Sequence, residues 1–154
     1  MNPIDIINEF YVPGSDAGEL LIRHSEAVAE KALRLAEKLS AVHPELKPDI
    51  RFMEEAALLH DIGIFYTNVP SIGCHGKYSY VCHGYLGRKL MEDMGYYRHA
   101  RVCERHVGAG ISVDEINAYH LPLPVRDMVP VTIEEQVVCY ADKFFSKNRT
   151  PDTE

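Results

Sequence analysis

A chain of 154 residues, 46% apolar and 25% charged, is long enough to bury one core and too apolar to stay disordered. Its formal charge of −7 argues against a nucleic-acid polymer as the main partner, because duplex binding needs clustered positive charge. Four cysteines without Cys-x-x-Cys spacing (Cys74, Cys82, Cys103, Cys139), no secretory leader at Met1-Asn2-Pro3 and no apolar run of membrane-spanning length set the expectation of a reduced, cytoplasmic protein.

In chain order, residues 1–15 read as an N-terminal lead-in carrying Pro3, Pro13 and Gly14, with Ile4, Ile6, Ile7 and Phe10 expected to dock on the body. Asp16-Ala17-Gly18-Glu19 has the form of a capping box with Asp16 as cap. Leu21, His24, Val28, Ala32, Leu35 and Leu39 then recur at steps of three and four, one apolar stripe of a helix that ends before Pro44. His24 lies in that stripe, either as a packed core histidine or as a ligand. A second helix is expected from about Asp49 to His60, closing on His60-Asp61-Ile62-Gly63. Neighbouring helical side chains diverge by about 100°, so this imidazole and this carboxylate can converge only on something lodged beside the helix end, such as an ion.

Residues 64–79 show no sustained period and read as a loop of the length often used for a lid; it carries His75, expected near a mouth. A helical period resumes near Tyr80, with His83, Leu86, Gly87, Leu90 and Met94 on one side and Gly95 as the stop. Gly87 suits close approach of another helix or an ion. Tyr97 to Val107 makes a further helix, with Val102, Cys103 and His106 inward. Ser112-Val113-Asp114-Glu115 and Thr132-Ile133-Glu134-Glu135 are capping boxes; the second opens a last helix carrying Val138, Ala141, Asp142 and Phe145 on one face. Residues 148–154 read as a C-terminal tail. No strand alternation appears. The expected architecture is all-α: one domain over 1–154, a bundle of some five to seven helices.

Six ionisable residues fall inside apolar stripes: His24, His60, Asp61, His83, His106 and Asp142. Each alone has a structural explanation. Together they do not, because a buried carboxylate costs several kcal/mol unless it is paired or coordinated. Four imidazoles and two carboxylates form a nitrogen- and oxygen-rich set suited to iron, manganese, cobalt, nickel or zinc rather than calcium. Six ligands are too many for one catalytic ion with an open position and about right for two sharing a carboxylate. If His83 and His106 were merely packed, the site would hold one ion.

In this order and context (Arg23-His24-Ser25, His60-Asp61-Ile62-Gly63, His83, His106, Ala141-Asp142-Lys143) the chain resembles the HD-domain superfamily of metal-dependent phosphohydrolases, over roughly residues 20–147. The resemblance implies an HD-type helical bundle with two divalent transition-metal ions, iron or manganese favoured. It implies that His24, His60, Asp61 and Asp142 hold one ion, that His83 and His106 serve the other, and that Asp61 bridges; Asp61 and His60 are the expected catalytic pair. Two ions about 3.5–4 Å apart would generate hydroxide from water to attack phosphorus. No Gly-x-Ser-x-Gly or Walker glycine loop competes with that reading.

Phosphate grip would fall to basic side chains beside ligands: Arg23, Lys143 and Arg105, each otherwise an ordinary surface charge. Glu104 could orient an imidazole N–H or lie exposed, and His43 and His120 are expected to face solvent. The implied function is hydrolysis of a phosphate ester or anhydride of a small phosphorylated metabolite, a nucleotide or dinucleotide, with self-association left open. Gly84-Tyr85-Leu86 and Gly95-Tyr96-Tyr97 do not supply the Gly-Tyr-Pro signature of the cyclic-dinucleotide subclass. The alternatives are an HD-fold di-iron oxygenase acting on a hydroxylated or phosphonate substrate, and a catalytically idle binding module.

Overall fold

The structure, a computed structural model, describes residues 1–145; the expected tail at 148–154 lies outside them. Seven α-helices account for most of the described chain: α1 (Pro3–Phe10), α2 (Asp16–Val42), α3 (Ile50–Leu59), α4 (His83–Asp93), α5 (Tyr97–Arg105), α6 (Val113–Ala118) and α7 (Ile133–Asp142). Between α3 and α4 sit two short strands, β1 (Asn68–Val69) and β2 (Cys74–His75), paired antiparallel with Asn68 opposite His75. The fold is all-α in substance.

Local chemistry explains the ends of the helices, with some departures from the sequence reading. The cap of α2 is Ser15, whose hydroxyl accepts from the Gly18 amide at 3.2 Å; Asp16 is already the first helical residue, where its charge favours the helix N-terminus. At α6 the reciprocal box forms as expected, Ser112 and Glu115 each accepting from the other's backbone amide. At α7 only half of it forms. Thr132 accepts from the Glu135 amide, but the Glu135 carboxylate is taken by Arg105 and by the Val131 amide. The lead-in is itself a helix, started by Asn2 and Pro3, and it buries Ile6 and Ile7.

The long α2 is the spine, with α3 and α7 packed along it and α5 against α3 and α7; α4 lies on α5. One apolar cluster joins Val28, Ala32 and Ala36 of α2 to Met53, Ala56 and Ala57 of α3 and Val138 and Ala141 of α7. A second joins Ile6, Ile7 and Tyr11 to Leu59, Ile62, Ile64, Met91 and Cys103. The turn after α3 contributes Ile62 and Ile64 to the second cluster. A methyl group at Gly63 would overlap the His83 carbonyl oxygen and lie 2.5 Å from the Gly87 nitrogen. Only glycine lets the first turns of α4 seat directly on this segment. Gly87 therefore serves helix approach, its added Cβ lying 3.2 Å from Cys103 Cβ.

The segment read as a period-free loop is tied down by backbone bonds from Asn68 to Tyr78, Gly76 to Thr67 and Tyr78 to Tyr66, at 2.9, 2.9 and 3.1 Å. Two residues per strand are too few for period-two alternation to show in sequence.

Candidate metal centre

Five of the six His and Asp side chains sit at helix ends. His60 caps α3, His83 opens α4, His106 caps α5 and Asp142 closes α7, while Asp61 follows His60 directly. His24 alone comes from mid-helix, on the buried face of α2. Asp61 leaves helical geometry (φ −101°, ψ 8°), and this break swings its carboxylate back to 3.2 Å from His60 Nε2. Adjacent side chains that a regular helix would hold apart thus face one point.

Helix ends also orient the imidazoles. The last carbonyls of a helix lack intrahelical partners. His60 Nδ1 donates to the Ala57 carbonyl at 2.6 Å and His106 Nδ1 to that of Cys103 at 2.7 Å; His83 Nδ1 donates to Tyr80 in the 3-10 turn before α4, at 2.6 Å. A carbonyl can only accept, so each Nδ1 carries the proton and each Nε2 of a neutral ring offers a lone pair inward. The carbonyls do the orienting that Glu104 was a candidate for. Glu104 is buried in α5, but its carboxylate is held by Arg88 and by Arg126.

The inward atoms form two groups that share Asp61: His24, His60, Asp61 and Asp142, and Asp61, His83 and His106, with the ligand atoms of each within 4.8 Å of one another. One oxygen of Asp61 lies 3.1 Å from His106 Nε2 and 3.3 Å from His83 Nε2. The other lies 3.2 Å from both His24 Nε2 and His60 Nε2. Asp142 Oδ1 stands 2.9 Å from His24 Nε2 and 3.2 Å from His60 Nε2.

These separations suit cations. Ligands about 2.1 Å from one ion stand about 3.0 Å apart at octahedral right angles and about 3.4 Å apart at tetrahedral ones. His83 Nε2 and His106 Nε2 approach to 3.1 Å. With both Nδ1 protons committed to carbonyls, two neutral rings would meet lone pair to lone pair, which a cation between them resolves. Asp61 is wholly buried among these rings, where an uncompensated carboxylate would be costly. The arrangement is able to bind metal ions.

Without a cation a proton takes part of that role. Burial disfavours an imidazolium at His60, but Asp61 and Asp142 outweigh it and push the group up to about 10. Burial also opposes ionisation of Asp142, yet His60 and the hydrogen bonds from His24 and His60 hold its carboxyl well below the ordinary range. For His106 burial wins over Asp61, and its tendency to protonate falls.

The three basic residues expected at the site differ in their surroundings. Arg23 is exposed beside His24. Lys143 is exposed, its ammonium donating to the Gly108 carbonyl at 2.6 Å. Arg105 forks onto both oxygens of the buried Glu135 at 3.0 and 2.9 Å, joining α5 to α7. His43, His75 and His120 are exposed. Sequence reasoning passed over His99, which is buried and 3.0 Å from Glu55. It also passed over Tyr11, whose hydroxyl donates to the Ile62 carbonyl at 3.1 Å. His99 lies three and four residues before Val102 and Cys103 on the buried face of α5 and could have been found; Tyr11 lies 51 residues from its partner, and nothing local marks it.

Comparison with known proteins places this geometry. The family model described as HD domain matches residues 21–146, a stretch that contains all six residues. The chain is 37% identical over 149 residues to a tRNA (cytidine(56)-2'-O)-methyltransferase of Picrophilus torridus, covering 90% of this chain and 38% of that protein. A protein of the same name from Thermoplasma volcanium is 36% identical over 134 residues, 86% of this chain and 34% of that one. An uncharacterized protein of Methanocaldococcus jannaschii is 35% identical over 125 residues, 80% of this chain and 65% of that protein. The chain thus spans from 34% to 65% of the length of these curated relatives. No solved structure matches.

Proposed function

The chain belongs to the HD-domain family, whose metal-dependent hydrolases share this fold, and from that premise we propose that it is a phosphohydrolase with a two-ion centre. Its substrate is the phosphate ester or anhydride of a small metabolite, a nucleotide or dinucleotide. The observation that carries this reading is Asp61, each of whose oxygens faces a separate pair of imidazoles. His24, His60, Asp61 and Asp142 would hold one divalent ion, and His83 and His106, with Asp61 shared, the other. When bound, such ions supply Lewis acidity: they lower the pKa of a water toward neutrality and offset charge growing on the phosphoryl oxygens.

The protein's own groups prepare that chemistry. The three carbonyl-anchored imidazoles keep their Nε2 atoms inward at no reorganisation cost. Asp142, with a fifth of its side chain exposed where Asp61 has none, marks the side from which a substrate enters. Lys143, next in sequence, is the cation placed to receive phosphate there, since no carboxylate among the described residues pairs with its ammonium. Arg23 adds charge beside His24. Arg105 is paired with Glu135 and serves chiefly to hold α5, and with it His106, against α7.

The methyltransferase name borne by two relatives describes proteins of which this chain spans 38% and 34%. Buried imidazoles and carboxylates facing one point suit cations better than a methyl donor, so that activity is not carried over. The test is metal analysis of protein purified without chelator, then phosphate release from a nucleotide panel with Mn²⁺, Fe²⁺, Co²⁺ or Ni²⁺. Activity that survives Asp61→Ala would remove the mechanism, and oxygen uptake with iron in place of phosphate release would assign the oxygenase alternative.

A further inference from the structure

A cavity of about 680 Å³ lies between the α1–α2 corner and the hairpin, and none of the six His and Asp residues of the metal centre lines it. Its walls are thus separate from the metal centre. Its size is that of a small-molecule site, which runs to roughly 300–1,000 Å³. Its wall is aromatic. Phe65 is met edge-on by Phe10, Tyr11 and Tyr66, with centroids 6.4, 5.6 and 5.4 Å away, yet it remains 42% exposed. Rings packed around an open ring make a surface on which another flat ring gains both area burial and quadrupole contact.

The polar groups around it narrow the ligand further. The hydroxyl of Tyr11 is spent on the Ile62 carbonyl, so Tyr11 gives the cavity only its ring. Lys77 is an exposed residue of the lining, its ammonium 5.3 Å from the Tyr78 ring centroid, and no carboxylate among the described residues pairs with it. His75 is beside it. The one acid in the wall, Asp16, sits on the first turn of α2, where the helix N-terminus already offsets its charge. An anion is favoured at the Lys77 end.

We infer that this cavity is a second binding site, taking a small molecule whose planar aromatic ring packs on Phe65 and whose single anionic group meets Lys77. Tyr11 is at once its wall and, through its bond to the Ile62 carbonyl, the anchor of the turn next to Asp61, so the occupant lies one side chain from the backbone beside the candidate ligands.

The probe is anilinonaphthalene sulfonate, a flat aromatic anion, titrated by fluorescence into the full chain loaded with metal. One site is expected. Ala17→Phe, which fills the cavity from α2, should weaken it by about tenfold or more. Lys77→Glu, an exposed change that leaves the core untouched, should weaken the sulfonate several-fold and leave the uncharged N-phenylnaphthylamine unaffected. Excess inorganic phosphate, which can compete only for Lys77, should weaken the sulfonate no more than Lys77→Glu does. Absence of binding, binding to either variant as tight as to the unaltered chain, or complete displacement by phosphate would overturn the inference. None of these outcomes depends on whether the metal centre hydrolyses phosphate.

Discussion

Asp61 presents one carboxylate oxygen to His106 Nε2 at 3.1 Å and the other to His60 Nε2 at 3.2 Å, so a single side chain joins two groups of candidate ligands carried by different helices. Asp61→Ala removes an oxygen from both. Metal content should fall from about two ions per chain to well below one, with phosphate release lost. Elemental analysis after gel filtration reads this directly, and retention of both ions would contradict the bridging role.

The two groups should separate under mutation. His83→Ala and His106→Ala each strip the second group while leaving His24, His60, Asp61 and Asp142 in place. Occupancy should drop to about one ion per chain, with hydrolysis reduced by at least about 100-fold. A variant that loses both ions would mean that the two groups form one inseparable site.

Metal binding should release protons. With His60 pushed up to about 10 by Asp61 and Asp142, the folded metal-free protein carries a proton there at neutral pH, and a cation must displace it. Apparent affinity should therefore rise with pH, up to about tenfold per unit from near neutrality toward 10. Calorimetry in buffers of differing ionisation enthalpy counts the protons. The same shift orders the stability of the metal-free fold. A group raised on folding contributes fully below its unfolded value, near 6.5, and its contribution is lost as pH rises through about 10. Asp142, held low, contributes above the ordinary carboxyl range and loses that as pH falls below it. Urea unfolding across pH with chelator present should show stability falling on both the acid and the alkaline side.

Glu104→Gln tests whether this buried acid serves the fold or the ions. It leaves Arg88 and Arg126 without their shared counter-charge. Both guanidinium groups reach solvent, so the cost should be about 1–3 kcal/mol rather than more. Metal stoichiometry should not change, since the imidazoles are oriented by backbone carbonyls. Loss of an ion would place Glu104 in the centre after all.

Gly63→Ala should be the more damaging of two glycine changes. Its methyl group would overlap the His83 carbonyl and press on α4, whereas one at Gly87 meets Cys103 Cβ at 3.2 Å. A loss of about 3 kcal/mol or more is expected at Gly63 and about 1–2 kcal/mol at Gly87. Denaturant midpoints compare the two.

Much of the fold was legible because its causes are local. Steps of three and four marked α2 and α7, Gly95 stopped the helix before it, and the Ser112 box opened α6 as read. Where the reading slipped, two local signals competed: Ser15 and Asp16 are both good caps, and Glu135 could serve its own helix or Arg105. The hairpin was too short to show a period at all.

Residue type and helical spacing alone were enough to set the donor chemistry of the candidate centre. The sequence placed four imidazoles and two carboxylates where helical periods bury them, and burial of such groups demands a cation or a proton. It could not decide which oxygen of Asp61 meets which imidazole, that Glu104 would be claimed by arginines, or that Tyr11 would close a cavity against the turn it supports. Those are distances between residues far apart along the chain. Periodicity carries no information about them; they are set only when α1 and α5 pack against α3 and α4 seats on the turn that follows it, through contacts such as the glycine crossing at Gly63 and Gly87.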